Sequence, residues 1–144
     1  MKTGCKELVD VANAKVKTYS LEEALKVYSN PDVIFVDIRE REELDEEGKI
    51  PGALHAPRGM LEWYVDPESP YHKPEFSSGH LLILYCAAGL RSALAAEQIQ
   101  VMGLKNVAHL GVGFWGWRDN KSPIEFSSET NSQGTAPAGR SRPL

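Results

Sequence analysis

At 144 residues the chain is long enough for one domain with a real core and too short for two ordinary ones. With 42% hydrophobic and 25% charged residues and a net charge of −4, it has a globular composition and no basic field to draw it to nucleic acid. No stretch approaches the ~20 apolar residues of a membrane span, and Met1 to Lys6 lacks the apolar core of a signal peptide, so a cytoplasmic protein is expected. Two cysteines, Cys5 and Cys86, make no disulfide framework. Without a Cys-x-x-Cys or a Cys/His cluster, no metal is expected.

In chain order, Glu7 to Lys15 reads as a short helix with Leu8, Val9, Val11 and Ala12 near one side, an N-terminal appendage over residues 1–16. Ser20-Leu21-Glu22-Glu23 is a capping box opening a helix striped by Leu21, Ala24, Leu25 and Tyr28 and ended by Asn30-Pro31. Val33 to Val36 is a buried strand with Asp37 at its end. The acidic run Glu40 to Glu47 reads as a solvated helix face. Turns at Gly48 and Pro51-Gly52 lead to a short strand over Ala53 to Ala56, in which His55 reads as structural before it reads as a proton donor. Pro57 to Val65 predicts a helical turn or two. Asp66 to Ser78 holds three prolines and little periodicity, the pattern of a lid beside a catalytic rim. His72 and His80 lack ligand spacing.

The stretch Leu81 to Ala93 organises the rest. An aliphatic run, bounded by Gly79 and Gly89, predicts a strand buried on both faces, and from Leu90 the positions Leu94, Ile99 and Met102 predict a helix stopped at Gly103. Cys86 thus falls between the carboxyl end of a strand and the start of a helix, where open α/β sheets bind ligands. Ala87, Ala88 and Gly89 have little bulk, so the backbone is free to curl around the sulfur as a nest of N–H groups that favours thiolate. Arg91 adds a positive charge, and the helix start adds its dipole. Asn106 to Leu110 predicts the last strand, and Gly111-Val112-Gly113 turns into a helix carrying Phe114, Trp115 and Trp117. Residues 17–126 are therefore expected to form one α/β domain, and Ser127 to Leu144, rich in Ser, Thr, Gly and Pro, a disordered tail.

Cys86-x-x-Gly89-x-Arg91-Ser92 closely resembles the active-site loop of single-domain rhodaneses. Val36-Asp37-Ile38-Arg39-Glu40 is similar to that family's first signature and Gly48-Lys49-Ile50-Pro51-Gly52-Ala53 to its second, with Lys49 in place of the usual histidine. Leu110-Gly111-Val112-Gly113-Phe114 with Trp117 is similar to the third, its paired glycines split by Val112. The resemblance implies a single domain with a central, mostly parallel sheet and helices on both faces. It also implies a sulfurtransferase without cofactor. Cys86 would carry sulfur as a persulfide from a small anionic donor such as thiosulfate to cyanide, a thiol or a protein sulfur acceptor. The N–H groups of Ala87, Ala88, Gly89, Leu90 and Arg91 would hold thiolate and persulfide, Arg91 with Ser92 would orient the donor, and Arg58 would face the pocket to assist anion binding, with a plain surface arginine an equal reading. Asp37 and Arg39 would support the loop as an ion pair, with Asp37 as general base the lesser reading.

Two rivals stand beside it. Cysteine phosphatases and arsenate reductases enclose five residues between cysteine and arginine and often place a histidine before the cysteine; here four are enclosed and Tyr85 precedes. A non-catalytic rhodanese-like module commonly lacks the cysteine, which is present here. A buried structural thiol alone would not call for Gly89 and Arg91.

Overall fold

The computed structural model describes residues 1–126, so the expected tail from Ser127 lies outside the described residues. Five strands, β1 (Lys17–Tyr19), β2 (Val33–Asp37), β3 (Leu54–His55), β4 (Leu81–Tyr85) and β5 (Val107–Leu110), form one sheet in the order β1-β5-β4-β2-β3, every pair parallel. Six α-helices accompany them: α1 (Cys5–Lys15), α2 (Leu21–Val27), α3 (Arg41–Glu47), α4 (Leu61–Val65), α5 (Leu90–Val101) and α6 (Gly113–Asp119). The expected α/β class and parallel sheet are both present.

The period-2 alternation of β2 and β4 divides the core in two. Val36, Ile38, Leu84 and Cys86 pack with Leu61 and Val65 of α4 and Ala95, Ala96 and Ile99 of α5. Phe35, Ile83 and Tyr85 pack on the opposite face with Ala24 of α2 and Phe114 and Trp117 of α6. The Ser20 box forms as read, its hydroxyl accepting from Glu23 N–H at 3.1 Å and Glu23 accepting from Ser20 N–H at 2.9 Å. Pro57 to Val65 makes a 3₁₀ turn (Arg58–Met60) followed by α4.

The structure adds to or alters the sequence reading in four places. Strand β1 was not foreseen: three residues with two exposed carry no hydrophobic run, and pairing with β5 creates the strand. Residues 1–16, expected as an appendage, include α1, which packs along α5 with Ala12 fully buried. The acidic run is no solvated face: α3 has its own capping box, and Glu43 and Glu47 turn inward to arginines. The stretch 66–78 is not a lid, since it leads into the first residue of β4, with Leu81 N–H bonded to Asp32 and Asn106 to Gly79. Cys86 lies at the other end of that five-residue strand, about 16 Å away.

Candidate active site

Parallel strands bring Asp37 and Cys86 to one rim but not to one face. Asp37 is in register with Tyr85, so it shares the Tyr85 face, whereas Cys86 belongs to the side covered by α4 and α5. Asp37 therefore has no line to the sulfur, and its reading as a general base is corrected. It accepts instead from Arg39: Nε at 3.0 Å and Nη2 at 2.8 Å, with both side chains fully buried. Arg39 also donates to Gly48 O at 2.7 Å and Glu47 at 3.1 Å and lies over the Phe114 ring at 4.2 Å. The result is a saturated charge cluster that pins the Gly48 turn and α6 to the sheet. Burial, with the nearby Asp37 charge, pushes the Tyr85 phenol well above its ordinary value, so it stays neutral where it accepts from Ile50 N–H at 3.1 Å.

On the other face, residues 86–92 curl around the cysteine sulfur. Gly89 makes this bend possible, with φ at +87° and no room for a Cβ, which would strike the Gly111 carbonyl. Gly113, at φ +67°, brings α6 against the loop so closely that a side chain there would collide with the Ala87 carbonyl. The first N–H groups of α6 hold the loop's carbonyls: Phe114 N–H donates to Cys86 O at 2.8 Å and Trp115 N–H to Ala87 O at 3.0 Å. The third sequence signature thus serves as a clamp on the Cys86 loop.

Cys86 is 1% exposed. Ser92 N–H donates to Sγ at 3.3 Å, and the thiol donates to Ser92 Oγ at 3.5 Å. The nest expected from residues 87–91 makes no hydrogen bond to Sγ itself among the described residues; that contact belongs to Ser92, one residue further into α5. The sulfur sits against the N-terminus of a 12-residue helix, where the unpaired N–H groups and the dipole favour negative charge. Ala88 and Leu90 are exposed at the mouth, while Ala87 and Gly89 are buried.

Arg91 is not aimed at a vacant anion site. Its two terminal nitrogens donate to both oxygens of Glu43, each at 2.9 Å, and the pair is partly exposed. Burial by itself would raise the Glu43 carboxyl, but hydrogen bonds from Arg91 and the Glu40 backbone, with the charges of Arg91 and Arg39, hold it below its usual range. Arg58 follows β3 at the same rim, its N–H on Ile38 O at 3.1 Å, and its guanidinium makes no ion pair among the described residues. His55 meets the Arg39 carbonyl through Nε2 at 2.8 Å, a structural contact. Lys49, where the signature has histidine, donates to Ala53 O at 2.7 Å and closes its own turn.

Besides Glu43, sequence reasoning missed His109, Asn13 and Thr18. His109 is 1% exposed on β5, one strand in from the β1 edge, with Nδ1 2.9 Å from Ser92 Oγ and Nε2 2.8 Å from Asn13 Oδ1 and 3.2 Å from Thr18 Oγ1. The available signal was a histidine inside an otherwise apolar buried strand, which demands partners. Beside the loop, Cys5, Val9, Leu90, Arg91 and Leu94 line an apolar groove of about 520 Å³ between α1 and α5. Cys5 is exposed and free. Among the described residues no cluster of His, Cys, Asp or Glu is fit to hold a metal, and no helix is long and apolar enough to cross a membrane.

Comparison with known proteins agrees with this geometry. The family model for the rhodanese-like domain matches residues 20–120. A structure from Rhodopseudomonas palustris, described as a protein of unknown function and possible tyrosine phosphatase, is 46% identical with a TM-score of 0.84, covering 87% of this chain and 96% of that one. A human single-domain sulfurtransferase is 26% identical with a TM-score of 0.63, covering 74% of this chain and 99% of its own. The thiosulfate sulfurtransferase GlpE of Coxiella burnetii is 28% identical over 102 residues, 71% of this chain and 87% of that relative.

Proposed function

Given that the chain belongs to the rhodanese-like domain family, we propose that it moves a sulfane sulfur through a persulfide on Cys86. The observation that carries this is the seat of the sulfur: Sγ held by Ser92 N–H at 3.3 Å, at a helix N-terminus, inside a loop with four residues between cysteine and arginine. The thiolate attacks the outer sulfur of a donor, forming the Cys86 S–S bond as the donor's own S–S bond breaks and its electron pair leaves, on sulfite when the donor is thiosulfate. An acceptor thiolate or cyanide then attacks the outer sulfur and expels Cys86 as thiolate. Free N–H groups at the start of α5 stabilise the anionic persulfide. Arg58 is the cation at the rim suited to meet an anionic donor, because Arg91 is engaged by Glu43. The groove beside Leu90 suits a thiol acceptor with an apolar portion, small or on a protein. A reducing setting such as the cytoplasm, which keeps Cys86 available, is what this chemistry calls for.

The Rhodopseudomonas relative gives the phosphatase reading a specific basis. Against it stands the short loop, which offers a cradle for one sulfur atom where a phosphoryl group needs a wider ring of donors. Incubation with thiosulfate and no acceptor should add about 32 mass units at Cys86, removable by cyanide or dithiothreitol and absent in Cys86→Ser. Turnover of an aryl phosphate with no sulfur uptake from any donor would establish the phosphatase instead. Neither activity would leave a binding module.

A further inference from the structure

Behind Cys86 a chain of hydrogen bonds runs from the sulfur to the surface. Sγ is 3.5 Å from Ser92 Oγ, Oγ is 2.9 Å from His109 Nδ1, and Nε2 is 2.8 Å from Asn13 Oδ1 and 3.2 Å from Thr18 Oγ1. Cys86, Ser92 and His109 are at most 1% exposed, while Asn13 and Thr18 are exposed. The polarity is consistent along its length. Asn13 Oδ1 only accepts, so Nε2 carries the ring hydrogen and Nδ1 the lone pair. Ser92 O–H donates to that lone pair, which leaves Oγ to accept from the thiol, so each donor points outward from the sulfur.

A nucleophile for sulfur transfer must be thiolate, and a buried thiol needs somewhere to send its proton. Resting on the sulfurtransferase reading, we propose that this chain is the exit route for the Cys86 proton, with His109 a positioning and relaying residue that never touches the donor. The S–H bond breaks and its electron pair stays on sulfur. The proton passes to Ser92 Oγ, the serine's own proton passes to Nδ1, and Nε2 releases its proton to water at the edge formed by Asn13 and Thr18. The chain is then reversed: Nδ1–H donates to Oγ, Ser92 O–H donates to the thiolate, and the Thr18 hydroxyl donates to Nε2. His109 begins and ends neutral. Burial lowers its pKa from 6.5 to about 4, so it passes a proton on and does not store one. The exit lies on α1 and β1, Asn13 and Thr18 both preceding the family's matched region, so the N-terminal helix belongs to the catalytic apparatus.

The test separates relay from scaffold. Asparagine and glutamine offer a donor and an acceptor but cannot pass a proton from one ring atom to the other as imidazole does. With Cys5→Ser as background, reaction of Cys86 with 4,4′-dithiodipyridine reports thiolate formation without sulfur transfer, and single-turnover persulfide formation from thiosulfate reports both. His109→Asn and His109→Gln should each slow both reactions more than about tenfold, with the thiosulfate concentration for half-saturation and the folded spectrum unchanged. Wild-type rates in either folded variant overturn the relay. Where both fail to fold, Ser92→Ala takes their place, since it removes the linking hydroxyl and keeps the N–H on Sγ; slowing supports the relay and a wild-type rate overturns it. In the wild type, nitrogen NMR should find the hydrogen of His109 on Nε2 while Cys86 is a thiol and on Nδ1 once it is a thiolate; a hydrogen on Nδ1 with the thiol still protonated overturns the assigned polarity. If wild-type protein reacts with the disulfide but never gains sulfur, the functional reading fails while the relay is still decided.

Discussion

Two buried polar clusters sit at the same rim of the sheet, on opposite faces, and they are built differently. Around Asp37 and Arg39 the contacts are several, short and charged, and the guanidinium is engaged on every side by carboxylates, a carbonyl and an aromatic ring. Around Cys86 the contacts are neutral: Ser92 N–H donates to Sγ at 3.3 Å, and a single file of hydrogen bonds leads away through Ser92 Oγ, 3.5 Å from the sulfur, with the weak thiol donor as its first link. Saturation fixes geometry, because no partner leaves without exposing a buried charge. A single file with a weak first link allows its hydrogens to be redistributed when the sulfur changes state. On the proposed function the first cluster is architecture and the second is chemistry, although both are buried and both stand on strand ends.

The contrast breaks most visibly in stability. Asp37→Ala should lower the unfolding free energy by about 3–5 kcal/mol, because Arg39 is left buried without its main counter-charge. Cys86→Ser should cost no more than about 1 kcal/mol, as a small substitution that keeps a polar atom beside Ser92. Urea titrations of the two proteins measure this difference; equal midpoints would remove the distinction.

Acid should expose the second cluster. His109 titrates near 6.5 unfolded and at about 4 folded, so the unfolded chain binds a proton first as pH falls. The stability it contributes is complete above about pH 6.5 and is lost progressively down to about pH 4, roughly 3 kcal/mol in all. Carboxylates join at the acid end, so the diagnostic window is pH 6.5 to 5. There, stability of the wild type should fall with pH while that of His109→Gln stays flat, and parallel curves would show that the imidazole is not held neutral.

Much of the fold was legible in the residues. The buried runs of β2 and β4, the capping box at Ser20 and the glycines around Cys86 each state their structure locally, since hydrophobic period and backbone strain act over a few residues. Strand β1 was not legible, because its pairing partner is about 90 residues away and supplies the reason for its existence. The site divided in the same manner. Cys86, Gly89 and Ser92 lie within seven consecutive residues and were read together. Glu43, His109, Asn13 and Thr18 come from four other elements, and nothing local marks Glu43 as anything beyond a capping-box residue. Asp37 was assigned to the correct rim, but which face it occupies depends on register with Tyr85, which only pairing reveals.

The smallest expected effect concerns Arg91, which lies between the two clusters in character: charged and paired like Arg39, yet part of the Cys86 loop. Its tie to Glu43 is partly exposed on both sides, so it is worth at most ~1 kcal/mol to stability. Glu43→Gln removes the counter-charge while the new amide can still close the capping box with the Glu40 N–H, which Glu43 now accepts at 2.9 Å. Arg91 is then released at the mouth of the loop. If its guanidinium can serve the donor, KM for thiosulfate should fall about two- to fivefold with kcat nearly unchanged, the gain of one solvent-exposed charged contact. The gain should shrink at high salt, where a screened charge attracts an anion less. Arg91→Ala should raise KM in the same assay only modestly, since Glu43 already occupies the side chain. A KM that rises in both variants would mean that the tie itself shapes the loop, and Arg91 would then belong with Arg39 as architecture.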